Sequence, residues 1–356
     1  ILKRKKQDFI SSLKKWYKNH KRDLPFRKTK DPYLVWLSEI ILQQTKMKTG
    51  LVYYEKFKKK YPNLKTLSEA RGEVLLKDWE GLGYYNRVKN LHSTAKFIQN
   101  KLLGIFPSSQ KELIKLKGIG RYSSSAIASI CYNEKTPAID GNVFRVLSRV
   151  FGIKINISSS SAYSFFYKKS IPLIKKFKNA GDYNQSLMDF GSIQCLPKNP
   201  LCSSCNQNKI CYAFAYKKQN ELPIKKRRTK VIKRYFNYYV FYYKDRFLLK
   251  KRNNNDIWAG LHDFYIEEKK NLVKESGQIN SKIKNLITKN YSLKFSSTKT
   301  KLSHQEIFVS FIEIKLLSSY DFKKLEKKLE LLELNKKKLN LLAKPKVIND
   351  YLKNFP

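Results

Sequence analysis

Four of the five cysteines in this 356-residue chain fall within "CLPKNPLCSSCNQNKIC", spaced C-x6-C-x2-C-x5-C as Cys195, Cys202, Cys205 and Cys211. That spacing is too irregular for one helical face. Pro197, Pro200 and the Asn and Ser residues between them mark a loop that folds back on itself. No signal peptide is evident, and Cys131 lies in an apolar stretch suited to a buried thiol, so a reducing compartment is expected. Clustered thiolates in such a compartment bind metal more often than they pair as disulfides. The donor set suits either a structural zinc or an iron–sulfur cluster.

Two carboxylates also stand in unusual surroundings. Glu39 interrupts the apolar run "YLVWLSEIILQQT", where an acid is costly to bury unless it is paired or faces a cleft. Gln43 follows one turn later on the same face. The plain alternative is a surface glutamate on an amphipathic helix. Asp140 stands just ahead of "GNVFRVLSRVFGI", which carries Arg145 and Arg149; an N-cap role alone would account for it. In "LKGIGRYSSSAIASI", Gly118 and Gly120 let the backbone turn between two helices and leave amide N–H groups free for an anion. In a basic chain that anion is a DNA phosphate, and an ordinary helix–helix turn is the alternative. In "WEGLGYYNRVKNL", Gly81 and Gly83 are expected to hold Leu82 and Tyr84 outward with Arg87 and Lys89 behind, a form suited to wedging into a base stack. Core packing by Tyr84 or Tyr85 is the competing reading.

The elements that must position these residues follow from composition and pattern. At this length two domains are expected, and an apolar content of 42% is enough for real cores. No run approaches the ~18 apolar residues of a membrane span, so a soluble protein is expected. A net charge of +46 points to a polyanionic partner, although the chain-wide preference for Lys, Asn, Ile, Tyr and Phe weakens that argument. Residues 7 to about 216 read as helices joined by short loops, with Asp31-Pro32 opening the helix that carries Glu39. Residues 217–231 form a polar, basic linker. From 232 to 356, "YFNYYVFYY", "FLLKK", "SLKFSSTKTKLS" and "EIFVSFIEIKLL" read as strands, with helical patterns around 279–289 and 321–342. The Lys-rich "KKLEKKLELLELNKKKL" reads as a solvated helix face.

Taken in order, the L-K-G-I-G hairpin (about 114–128), D-G-N-V and the cysteine loop resemble the helix-hairpin-helix DNA glycosylases that carry a [4Fe-4S] cluster. Within that superfamily, "LSEIILQQT", "GLGYYNR" and "AIDGNVFRVLSR" are similar to the adenine DNA glycosylases of the MutY family. The resemblance runs from about residue 8 to the end. It implies a mainly α fold over 1–216, with two helical lobes and an iron–sulfur loop held by Cys195, Cys202, Cys205 and Cys211. It further implies an α+β, MutT/Nudix-like recognition domain over 232–356. There "IWAGLHDFY" is similar to the family's W-x-G-L-x-x-F segment, and no acidic nucleotide-hydrolysis box follows it. "KLSHQEIF" resembles the F-S-H loop that reads 8-oxoguanine: Ser303 and His304 match, and Leu302 replaces the usual phenylalanine.

The resemblance also implies roles. The partner is duplex DNA with an 8-oxoguanine:A or G:A mismatch, from which adenine is flipped out. Glu39 would protonate the base, ionised Asp140 would stabilise the oxocarbenium-like sugar, and Asn142 would orient water or substrate. Bifunctional relatives place a nucleophilic lysine two residues after the second hairpin glycine. Here that position is Tyr122, which would pack beside the departing base, so strand cleavage is not expected. Gln43, Gln44, Leu82, Tyr84, Gly118 and Gly120 would contact DNA. A monomer in the cytoplasm, associated with the nucleoid, is expected. The competing readings are a G:T-mismatch thymine glycosylase of the same fold, a catalytically inactive damage-binding relic, and a zinc-stapled adaptor.

Overall fold

In the computed structural model the described residues are 2–226, 231–253, 256–273, 279–288, 291–302 and 304–355. The first half is helical: α1 (Leu2–His20), α2 (Pro32–Leu42), α3 (Met47–Lys60), α4 (Leu64–Glu69), α5 (Gly72–Asp78) and α6 (Asn86–Lys101). There follow α7 (Gln110–Leu113), α8 (Arg121–Tyr132), α9 (Gly141–Phe151), α10 (Ala162–Ile174), α11 (Ala180–Asp189) and α12 (Tyr212–Ala215). A π-helical turn at Phe190–Gln194 leads directly into Cys195. The strands are β1 (Ile232–Tyr243), β2 (Arg246–Lys251), β3 (His262–Asp263), β4 (Tyr265–Lys269), β5 (Tyr291–Lys301), β6 (Gln305–Leu316) and β7 (Leu332–Asn335). Around them lie α13 (Ser281–Lys284), α14 (Ser319–Lys328), α15 (Lys336–Leu341) and α16 (Lys346–Lys353). The chain divides into two compact units, Ile1–Glu69 with Asn90–Arg227, and Ala70–Lys89 with Arg228–Pro356.

The core of the first unit follows from helical periodicity. Phe9, Leu13 and Trp16 on α1, and Val143, Val146, Leu147 and Val150 on α9, recur at three- and four-residue intervals and meet Phe166 of α10 and Tyr183 and Leu187 of α11. Cys195, Cys205 and Cys211 pack on the edge of this cluster. Helix α8 is buried from Ser123 to Ser129. Its small side chains allow close approach, and its serines are satisfied locally: Ser125 lies 3.0 Å from the Thr136 hydroxyl, and Ser129 Oγ accepts from Asn184 Nδ2 at 2.8 Å.

In the second unit the sheet order is β3-β2-β1-β6-β5, with β4 on β1 and β7 on β2; β1 and β6 are parallel and the other pairs antiparallel. Both faces of β1 are covered. Phe236, Tyr238 and Val240 enter one cluster with Phe264, Val309 and Ile348, while Tyr239 and Phe241 enter another with Ile312, Ile314 and Phe322. Burial on both sides explains why residues 235–243 read as an aromatic and aliphatic run interrupted only by the buried Asn237.

Two sequence expectations are corrected here. The pattern at 279–289 yields only the single turn α13 among its described residues. The one at 321–342 is not one helix: α14 stops before Glu330, whose φ of 51° ends it, and Leu332–Asn335 pair with β2 as β7. The "LEL" alternation buries Leu334 and leaves Leu332 outward, and pairing covers an edge that β2 would otherwise expose.

Helix α9 closes at Gly152, φ 70°, where an added Cβ would stand 2.7 Å from the Tyr212 ring. Gly152→Ala is therefore expected to lower the melting temperature, at a cost of about 1–3 kcal/mol, from strain plus overpacking. An unchanged melting temperature would show that Tyr212 yields without loss.

Candidate active site

Asp31 accepts a hydrogen bond from the Tyr33 amide at 2.9 Å and Pro32 sets the first turn, so α2 begins where the sequence indicates. Seven of its eleven residues are buried; Glu39 beside them is half-buried as a residue, with its carboxyl withdrawn from solvent. Burial pushes the Glu39 carboxyl up to about 7; a hydrogen bond from Tyr122 opposes this, nearby Asp140 adds to it, and Arg27 opposes it. The Tyr122 hydroxyl, driven well above its ordinary pKa by burial and by both carboxyls, remains a donor; it also lies 3.4 Å from Met188 Sδ. Asp140 caps α9: Oδ1 accepts from the Val143 amide at 2.8 Å and Oδ2 from Asn142 Nδ2 at 2.7 Å. Burial raises this carboxyl too, but its N–H donors pull it back. This site thus holds a carboxyl poised near neutrality and, close enough to act on it, another whose ionised form is hydrogen-bonded.

Arg27 could have held Glu39 ionised, but its guanidinium is committed elsewhere. It grips Asp189 through both nitrogens, at 2.5 and 2.8 Å, and Arg22 Nε adds a third bond at 2.6 Å. Asp189 is fully buried, so its charge is balanced by these cations. Beside them Tyr17 donates to Gln185 Oε1 at 2.9 Å.

Helix α9 also ties this site to the cysteine loop. Arg145 donates to Asn142 Oδ1 at 2.7 Å, to the Gly191 carbonyl at 2.6 Å and to the Cys195 carbonyl at 2.7 Å. Gly191 has no room for a side chain, because a Cβ would stand 2.5 Å from that of Asn142. One turn on, Arg149 donates to the carbonyls of Leu196, Pro197 and Leu222 at 2.6 to 3.0 Å, and lies 3.4 Å from Cys195 Sγ. Cys195, Cys202, Cys205 and Cys211 line one cavity. The Gln207 amide donates to Cys205 Sγ at 3.4 Å. Among the described residues the sulfurs are not drawn into a ready ligating group, yet four thiols around one cavity with N–H donors aimed at sulfur fit an iron–sulfur cluster by donor chemistry.

The remaining predicted contacts are distributed as follows. Gly118 takes φ 81° and packs on Asn90, where a Cβ would stand 2.7 Å from that of Asn90. Gly120 begins α8 with no side-chain cap, leaving the first amides of a twelve-residue helix open. Gln43 Nε2 donates to Ser123 Oγ at 3.2 Å, fastening the end of α2 to the start of α8. Gln44 is exposed with φ 54°. At the Gly81–Gly83 turn Tyr84 is 47% exposed, as expected, but Leu82 is only 8% exposed and does not point outward. Trp79 Nε1 and Arg87 donate to the Gly83 carbonyl and Arg87 to that of Leu82, which fixes the turn with Leu82 inward. His304 is exposed and its carbonyl accepts from Ile232, while Leu302 packs on the sheet core. Ser303 lies outside the described residues.

With this geometry in place, residues 37–169 match the HhH-GPD superfamily of base excision DNA repair proteins. The adenine DNA glycosylase of Buchnera aphidicola subsp. Baizongia pistaciae is 36% identical over 310 residues, covering 86% of both chains. The chain belongs to the adenine DNA glycosylase family. The human adenine DNA glycosylase is 37% identical over 223 residues, covering 60% of this chain and 41% of that one. A thermostable thymine-DNA glycosylase structure superposes with a TM-score of 0.56 at 28% identity, over 60% of this chain and 99% of that one. Membership makes the protein a hydrolytic DNA N-glycosylase of base-excision repair. The helix-hairpin-helix fold and the α+β second unit agree with expectation, and no helix among the described residues is long and apolar enough to cross a membrane.

Sequence reasoning missed the Arg22–Arg27–Asp189 cluster and the place of Gly191. Asp189 carried the same signal as Glu39, an acid inside an apolar run ("SLMDFGSI"), and could have been found by it.

The raised pKa of Glu39 has a cost with a definite sign. A carboxyl whose pKa is about 7 folded and 4.5 unfolded loses stability as pH rises through that window, by about 3 kcal/mol in all. Glu39→Gln should therefore melt higher than wild type at pH 8, and the gap should close towards pH 5. Equal melting temperatures at pH 8 would contradict the burial assigned to this carboxyl.

Proposed function

We propose that the protein removes adenine mispaired with 8-oxoguanine or guanine from duplex DNA and leaves the strand intact. The supporting observation is the pair of carboxyls: Glu39 raised to about 7 and Asp140 hydrogen-bonded by Val143 and Asn142, with a phenol rather than an amine at Tyr122. A mispaired base costs less to unstack, and once flipped it is accessible to both groups. Glu39, protonated, gives its proton to N7 of adenine, and the C1′–N9 bond breaks with the electron pair leaving on the base. Asp140 stabilises the positive charge that develops on the sugar. Asn142, held by Asp140 and Arg145, orients the water that adds at C1′; the Glu39 carboxylate takes a proton from that water and is restored. Tyr122 packs beside the base and has no nitrogen with which to form a Schiff base.

Around this centre, the open amides after Gly118 and Gly120 bind a phosphate of the DNA backbone. Gln43 and Gln44 approach the strand, and Tyr84 wedges into the gap. Leu82 supports that turn from within. Residues 1–216 carry catalysis, 217–231 connect, and 232–356 read the base opposite adenine, with Ser303 and His304 as the contacts. Cys195, Cys202, Cys205 and Cys211 would hold a [4Fe-4S] cluster that braces their loop; elemental analysis should then find iron and not zinc. The enzyme works as a monomer on the cytoplasmic nucleoid.

The test is base release from 8-oxoguanine:A, G:A and G:T duplexes, with and without alkali. Adenine release is expected, with strand breaks only after alkali, and with a rate that falls as pH climbs past about 7 because Glu39 loses its proton. Glu39→Gln should be inactive yet still bind. Thymine release would assign the chain to the G:T branch instead, and binding without release would make it a relic.

A further inference from the structure

The far end of α9 from Asp140 opens into a surface cavity of about 470 Å³. Its lining on α9 runs from Leu147 to Phe151, seven to eleven residues past Asp140, so along the helix the cavity lies about 10 to 16 Å from the catalytic cap at 1.5 Å per residue. Its floor is aliphatic and aromatic: Leu147, Phe151, Ile153, Ile155, Phe165 and Leu173. Leu147 and Leu173 belong to the buried core, while Phe151, Ile153, Ile155 and Phe165 are only partly covered. Gly152 and three lysines, Lys6, Lys154 and Lys169, complete the lining, and among the described residues no carboxylate joins it. Lys169 Nζ lies over the Phe165 ring, 5.4 Å from its centroid, so this cation is held at the rim.

The geometry points to a docking groove for an acidic, amphipathic peptide segment of a partner protein, with apolar anchors in the cavity and Asp or Glu side chains on the three lysines. Charge complementarity selects this occupant. A second copy of this chain, at +46, would bring like charge to a positive rim. Duplex DNA would set its phosphates over a floor that offers them no donor. A bilayer surface presents headgroups to a face, whereas this site is a recess of ligand-pocket size. An apolar stripe with acidic flanks satisfies both the floor and the rim, in the helix-in-groove manner.

The inference is tested on the full chain with a displayed library of random dodecapeptides, selected at physiological ionic strength, where the ~8 Å Debye length leaves direct contacts in place and screens longer-range attraction. Three variants are compared with wild type: Lys6→Glu/Lys154→Glu/Lys169→Glu, Ile155→Asp, and Lys58→Glu/Lys59→Glu/Lys60→Glu, which makes the same change of charge on α3. Selected peptides should combine Leu, Ile or Phe at helical spacing with Asp or Glu. They should lose roughly tenfold or more in affinity for the first two variants and little for the third. Adenine release by Ile155→Asp should stay at the wild-type rate, which confirms that it folds. Peptides without an acidic bias, or equal loss in the α3 variant, would overturn the proposal. So would a weakened duplex affinity in the first variant, which would assign the rim to DNA, or binding to vesicles of phosphatidylserine and phosphatidylcholine in place of peptides.

Discussion

A carboxyl group that must give up a proton at neutral pH has to be kept from ionising, and here burial supplies most of that constraint. Glu39 sits on a helix whose other faces are filled by large apolar side chains, and a second acid, Asp140, stands close enough to add to the shift. The nearest compensating cation, Arg27, is fully engaged with Asp189. The buried Asp189 therefore has an indirect role: it offsets the charge of Arg27, which still lowers the pKa of Glu39 but is the smallest of the influences on it. Asp140 meets the opposite requirement through a helix cap, which gives its ionised form donors that Glu39 lacks.

The same helix that is capped by Asp140 carries the two arginines that hold the cysteine loop. Arg145 bonds Asn142, the π-helical turn and the Cys195 carbonyl at once, so displacement of the loop would be felt at the residue that orients Asp140. Arg149 repeats the arrangement one turn later with three carbonyls and a sulfur. Both guanidiniums are buried and donate mainly to backbone, and lysine could not reproduce their forked geometry.

Much of this was legible in the sequence where a residue type conflicts with its surroundings. An acid in an apolar run exposed Glu39; paired glycines between helical patterns exposed the hairpin; four irregularly spaced cysteines exposed their loop. What was not legible depended on pairing over long distances or on local turn geometry. Arg27 and Asp189 are 162 residues apart, and nothing in either neighbourhood names the other. The turn at Gly81 and Gly83 permits either orientation of Leu82, and carbonyl bonds to Trp79 and Arg87 decide it. The strand β7 was read as helix because Leu, Glu and Lys favour helices, and the open edge of β2 overrides that preference.

The central claim, that one site keeps two carboxyls in different protonation states, is tested most directly by following their carbonyl-carbon resonances with pH. Protein labelled with 13C at the side-chain carboxyls would be titrated beside Glu39→Gln and Asp140→Asn to assign the two signals. The account predicts that the Glu39 signal titrates near 7 and the Asp140 signal below it, because Val143 and Asn142 donate to the ionised form of Asp140. A Glu39 signal that titrates in the ordinary carboxylate range would contradict it.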